Sequence, residues 1–309
     1  MFKKILIPLD GTMRAEQALG LVGKIFPENN FELILLEAVE NVNSPYPLYG
    51  SGVDGYVQII PEYKKEQVDE YVETVTQGVR TWLPDVRGFS VKGKPDEAIV
   101  NVANQEEVDL IIMVTHGHSG LARLLFGSVT ELVIRNAPCP VLAVRDGHLP
   151  KHMLISVDGS PFSESILEPA FALAELIKAD ITLARVDIPA EDIDMRDVAE
   201  IRKHDEGLAN ALLYSNNTRS TEYLDRLMKR FDEQANKLNI KLDYDVDYGP
   251  VGTRLPKMAE RNKCDLIAMA THGRQGLDRF WNRSVTEDVM HQTQTAMFVL
   301  HPDPIEIES

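Results

Sequence analysis

Apolar and polar positions alternate in blocks along the whole chain. Lys3 to Leu9 (KKILIPL), Phe31 to Val39 (FELILLEAV) and Asp109 to Val114 (DLIIMV) are short, nearly continuous apolar runs. That is the pattern of parallel strands buried on both faces. Between them the period changes. Ala15, Ala18, Leu19 and Val22 share one face of a helix predicted over Met13 to Phe26, and further helices are predicted over Glu62 to Leu83 and Asp96 to Asn104. Phe89 to Val91 reads as a third strand and Val141 to Arg145 as a fifth. Strands that alternate with helices in this way predict a parallel sheet with right-handed crossovers. Asn41 to Gly55, rich in Pro, Tyr, Gly and Ser, reads as a long loop.

The densest stretch is Asp109 to Arg145, which reads as strand, glycine-punctuated loop, helix, strand, and it occurs twice. Thr115-His116-Gly117 answers to Thr271-His272-Gly273, and Ser128-Val129-Thr130-Glu131 to Ser284-Val285-Thr286-Glu287, both at an offset of 156. Two matches that share one spacing identify a duplicated domain. The strand Lys151 to Val157 ends in Asp158-Gly159-Ser160 and repeats Asp10-Gly11-Thr12 at an offset of 148. The second half then continues with a strand over Ala179 to Val186, a helix over Glu222 to Leu238, a strand over Lys241 to Asp247 and a helix over Thr253 to Asn262. Its eight extra residues are expected in the charged segment Pro189 to Thr221. Asp146 to Pro150 is a linker too short for independent halves, and the expected domains are residues 1–147 and 148–309.

A chain of 309 residues suits two cores better than one. No apolar run approaches the length of a membrane span, and Met1 to Ile7 lacks the plan of a signal peptide. Cys139 and Cys264 stand at non-equivalent places in the repeat, so the expectation is no disulfide and a cytoplasmic location. A net charge of −16 argues against nucleic-acid or anionic-membrane partners. A phosphate site in such a chain has to rely on backbone donors or a magnesium ion.

Such donors are expected where the glycine loop empties into a helix N-terminus, with Ser128 as N-cap and Glu131 closing a capping box. In open α/β sheets ligands bind beyond the carboxyl ends of the strands, where the strand order switches sides. Asp10 follows the first strand and Thr115 to Ser128 the fourth, so both face one crevice if those strands are neighbours. The carboxylate there suits a ribose hydroxyl or a metal-bound water, and the loop suits phosphates.

Both halves resemble universal stress protein domains. The family's nucleotide motif is G-x-x-G, nine residues, then G-[ST]. The first half has Val114-Thr115-His116-Gly117, nine residues, then Gly127-Ser128; the second has Ala270-Thr271-His272-Gly273, nine residues, then Arg283-Ser284. The resemblance implies two doubly wound open parallel five-stranded sheets of order 3-2-1-4-5, of the adenine nucleotide alpha hydrolase-like kind, and an adenine nucleotide such as ATP, with magnesium a candidate companion. By the same resemblance Asp10 and the backbone near Ala38 hold the ribose and adenine end, while Gly117, Gly127 and Ser128 hold phosphates, with Val129 at the helix start and Val114 standing where the motif's first glycine would be. The second-half counterparts are Asp158, Arg185, Gly273, Ser284 and Val285, with Arg185 placed against Ala38 by aligning LEAVE with LARVD. Arg283 replaces a glycine whose value would be positive φ and close backbone approach, so the second half is expected to be degenerate.

Blander roles compete at each position. Ser128 and Ser284 serve as helix caps in any case, Asp10 and Asp158 suit capping too, and His116 and His272 suit loop bracing better than catalysis. Tyr46, Tyr49 and Tyr56 suit a lid or a plain loop, and Trp281 a plug in the second loop. Gly50 to Gly55 spells G-x-G-x-x-G, but it lies far past its strand and reads as loop. Three functions remain: a nucleotide-binding stress protein, an interaction module with neither site occupied, and a slow ATPase. The third is disfavoured because only an Asp–His pair recurs in both halves. The terminal strands Pro140 to Arg145 and Ala296 to His301 are apolar edges; they are expected to pair within one chain as a pseudo-dimer, with further homodimerisation of the chain open.

Overall fold

The computed structural model describes residues 2–40, 61–115, 126–145, 147–187, 195–203, 206, 217–271 and 285–302. The readings made for Tyr46, Tyr49, Gly50 to Gly55, Tyr56, His116, Gly117, His272, Gly273, Trp281, Arg283 and Ser284 lie outside the described residues. The first half runs β1 (Lys4–Leu9), α1 (Gln17–Ile25), β2 (Glu32–Val39), α2 (Pro61–Arg80), β3 (Val86–Lys92), α3 (Pro95–Gln105), β4 (Leu110–Val114), α4 (Ser128–Asn136) and β5 (Val141–Val144). The second half runs β6 (His152–Ser156), α5 (Pro161–Glu164), α6 (Leu167–Ile177), β7 (Asp180–Asp187), α7 (Met195–Arg202), α8 (Asn217–Leu238), β8 (Leu242–Tyr248), α9 (Val251–Arg261), β9 (Leu266–Ala270), α10 (Val285–Gln292) and β10 (Ala296–Leu300).

The strands form one ten-stranded sheet of order β3-β2-β1-β4-β5-β10-β9-β6-β7-β8. Each half is parallel in the order 3-2-1-4-5, and the halves join where β5 and β10 pair antiparallel, Leu142 opposite Phe298. The pairing of the two terminal strands within one chain is therefore as expected from their sequences. Burial follows position. The central strands β4 (LIIMV) and β5 (VLAV) are buried throughout, whereas the edge strands β3 and β8 carry the polar alternation of half-exposed strands. Covering β5 with β10 removes two apolar edges at once. Phe2 meets Phe298 edge-to-face at 6.4 Å, so the core continues across the join.

Each half repeats one anchoring device. Asp109 accepts the N–H groups of Lys3 and Lys4, and Asp265 those of Lys151 and His152, which ties the first strand of each half to the loop before its fourth. Across the join, Arg135 on α4 pairs with Glu287 on α10, and His291 Nε2 lies 3.2 Å from Glu131 Oε1. Glu131 and Glu287 are counterparts in the repeat, as are Arg135 and His291, so these two pairs are one contact related by the pseudo-twofold.

Three expectations need correcting. Helix α1 begins at Gln17, because Thr12 to Glu16 form turns instead of a regular first turn. Ser128 is not an N-cap: Gly127 caps α4 and Ser128 stands exposed in its first turn. Glu131 turns to His291 across the join, so the capping box does not form. The eight extra residues are divided. The offset between halves is 148 through β2 and β7, 152 at Tyr71 and Tyr223, and 156 from β3 and β8 onward, so four residues come before the tyrosine position of the long helix and four after it.

Candidate functional site

Strand β1 lies between β2 and β4, which makes the gap between β1 and β4 the switch point. Asp10 emerges there from β1. Its Oδ1 accepts the Thr12 N–H at 3.0 Å and the Thr12 hydroxyl at 2.6 Å, while Thr12 Oγ1 accepts from Ala15 N–H. This Asx turn needs Gly11 at φ +73°, a left-handed conformation that glycine adopts without strain. The second half builds the same turn: Asp158 Oδ1 accepts the Ser160 N–H, Gly159 sits at φ +89°, and Ser160 Oγ caps α5 through Ser163 N–H. In the second half the capping role considered for Asp158 thus belongs to Ser160, in the first half Thr12 Oγ1 holds the turn before α1, and both carboxylates shape their loops.

Opposite Asp10, β4 ends in Val114 and Thr115. Both are buried; the Thr115 N–H donates to Val144 O at 2.7 Å, while its hydroxyl Oγ1 is buried with no hydrogen-bond partner. An orphaned buried hydroxyl is uncommon and calls for an explanation. The chain re-enters at Phe126, held under the Arg145 guanidinium at 4.3 Å, and Arg145 also donates to Thr293 O of the second half. Helix α4 closes its first hydrogen bond from Glu131 N to Gly127 O, so the N–H groups of Ser128, Val129 and Thr130 lie outside its ladder. Gly127 has φ −64° and ψ 152°, and a Cβ there would meet nothing within 4 Å. Positive φ is therefore not what glycine supplies at this position. The backbone would accept a Cβ here, so open space stands beside the N-terminus of α4.

The base end is where the halves part. Strand β2 pairs with β1 only as far as Glu37, but stays paired with β3 to Val39, which leaves the β1-facing backbone of Ala38 free of the ladder. The register also corrects the pairing of Ala38 with Arg185. The constant offset of 148 sets Glu37 against Arg185, Ala38 against Val186 and Val39 against Asp187. Aligning the acidic letters Glu40 and Asp187 hid this, and a slip of one residue moves every side chain to the other face. Behind Glu37, Tyr71 on α2 donates to Glu16 at 2.9 Å; behind Arg185, Tyr223 on α8 donates to Glu164 at 2.9 Å. Burial first, and then the adjacent glutamate, pushes both phenols above their ordinary range, so both remain donors. The Glu16–Tyr71 and Glu164–Tyr223 pairs escaped the sequence reading because the offset changes between their two members. Val285 begins α10 as an exposed residue.

The structure thus brings Asp10, Ala38, Val114, Gly127, Ser128 and Val129 to one rim of the sheet, adds Thr115, Glu37 and Tyr71, and commits Arg185 to the protein interior. The fold and this rim define a duplicated doubly wound α/β protein with one switch point in each half. The model of the universal stress protein family matches residues 1–145 and 150–301, and the chain belongs to that family. Two universal stress proteins of Methanocaldococcus jannaschii, MJ0531 and MJ0577, are 34% and 36% identical to it, each over 47% of this chain and 83% and 96% of their own length. A universal stress protein structure from Archaeoglobus fulgidus covers 96% of this chain and 97% of its own at TM-score 0.63 and 17% identity, and one from Pseudomonas aeruginosa covers 98% and 94% at 0.64 and 17%. These two structures share the two-domain fold. No helix among the described residues is long and apolar enough to cross a membrane.

Proposed function

We propose that the first half binds an adenine nucleotide of the ATP kind and that the second half, divided from it at residues 147/148, is structural, in a cytoplasmic stress-response protein. Support comes first from the Thr115 hydroxyl, buried and unpartnered at the end of β4, where a ligand oxygen would give it a partner. In this reading Asp10 accepts from the ribose, and the ladder-free backbone of Ala38 reads the base. Phosphates lie on the N–H groups of Ser128 and Val129 and the positive end of α4. The open space beside Gly127 lets them approach, and Gly117 would complete the cradle. Magnesium would arrive with the phosphates. Val114 is compatible because its side chain is buried in the core.

A binding role is favoured over turnover. Tyr71 and Tyr223 are held protonated, and neither is a base for activating water. The second reading, an interaction module without nucleotide, draws on one observation: the base end of the second half is filled by Arg185. Thermal unfolding with and without Mg-ATP separates the two. A rise in Tm for the wild type that Gly127→Arg abolishes supports nucleotide binding in the first half, and no rise in either removes it.

A further inference from the structure

We propose that Arg185 is a built-in occupant of the second half's crevice, and that the Arg185–Asp187 pair is the specificity-determining difference between the two halves. The inference rests on the reading that the first-half crevice takes a nucleotide. Around this position the two halves are otherwise built alike: Asp10-Gly11-Thr12 against Asp158-Gly159-Ser160, and Glu16–Tyr71 against Glu164–Tyr223. The contrast lies on the second strand, where Glu37 and Val39 of the first half are Arg185 and Asp187 in the second.

Arg185 and Asp187 are buried, with side-chain exposures of 7% and 2%. Arg185 Nε donates to Asp187 Oδ1 at 2.8 Å, and the guanidinium lies over the Tyr223 ring at 5.3 Å. From there it reaches the loop that bears Asp158: a Cβ on Gly159 would stand 2.8 Å from Arg185 Nη1. In the first half the nearest atom to the same point on Gly11 is Glu37 Oε1, at 3.9 Å. A planar group with in-plane donors, stacked near an aromatic ring and held by a carboxylate, has the shape and polarity of a nucleobase edge. Because it is tethered, it competes at an effective concentration that a free ligand does not match. Displacing it would leave Asp187 charged, buried and without its cation, which proteins strongly disfavour. The second half is thus closed at its base end.

The test is a reciprocal graft, read by equilibrium dialysis with labelled ATP and labelled adenosine to count sites per chain, with circular dichroism to confirm folding. R185E/D187V gives the second half the residues of the first, and E37R/V39D does the reverse. The expected counts are one site in the wild type, two in R185E/D187V with at least one of the probes, and none in E37R/V39D. A folded R185E/D187V chain that gains no site with either probe overturns the proposal, as does an E37R/V39D chain that binds with wild-type affinity. R185A/D187A supplies the same count if the glutamate variant does not fold. The wild-type count judges the first-half reading separately: zero in the wild type with one in R185E/D187V rejects that reading and upholds the plug, while zero in both rejects both.

Discussion

The two halves share a strand order, an anchoring aspartate and a glycine turn, yet their crevices differ in charge and filling. At one point on the second strand the first half places a carboxylate that stops short of the turn, and the second half a guanidinium that touches it. A duplicated fold can keep its architecture while one copy stops receiving ligand, because the sheet depends on buried apolar runs and the site on a few side chains at the strand ends. The join favours such a division of roles: β5 and β10 complete each other's edge whatever their crevices hold.

The comparison breaks most sharply at Gly127. Gly127→Arg should reduce nucleotide affinity by about a hundredfold or more, since a long side chain enters the space before the three N–H groups that lie outside the α4 ladder. It should leave the fold intact, because φ is ordinary and the Cβ has room. Calorimetric titration alongside thermal unfolding checks both parts, and a large loss of Tm would contradict them. Asp10→Asn comes next. It keeps an oxygen for the Thr12 N–H and so preserves the turn, but removes a charge; binding should weaken roughly ten- to a hundredfold, as a hydrogen bond to a charged group is worth ~1.5–3 kcal/mol. Asp158→Asn should leave binding unchanged. Thr115→Val is subtler: it removes an orphaned buried hydroxyl, so the ligand-free Tm should hold or rise while affinity falls by about fivefold, near ~1 kcal/mol for a neutral hydrogen bond. A fall in both would mean that the hydroxyl serves the fold.

The smallest effect should be alike in the two halves. Burial pushes the thiols of Cys139 and Cys264 up to about 12. The folded chain therefore disfavours both thiolates. Their contribution is fully present below pH 9 and is lost as pH rises toward about 12. Neither thiol should react with Ellman's reagent at pH 8 in the native protein, and both should react after denaturation.

The duplication and the parallel sheets were legible, because they follow from continuous apolar runs such as LIIMV and from motifs repeated at one offset, while the strand order and the pairing of the apolar terminal strands were what the family resemblance implied. The rim residues Asp10 and Gly127 were legible as a loop and a helix entry. What stayed hidden depended on three-dimensional register. Arg185 was matched with Ala38 instead of Glu37 because two acidic letters aligned better one residue out. Ser128 looked like a cap, but the chain enters α4 in extended backbone one residue earlier, and Glu131 was drawn off to His291. Thr115 carried no signal, since an unpartnered hydroxyl exists only once its surroundings are known.

The most direct test of the account is native mass spectrometry of the purified chain at saturating Mg-ATP, with Gly127→Arg beside it. The account predicts one nucleotide per chain in the wild type and none in the variant. Two per chain would contradict the closed second half, and one retained in Gly127→Arg would place the site outside the first-half crevice.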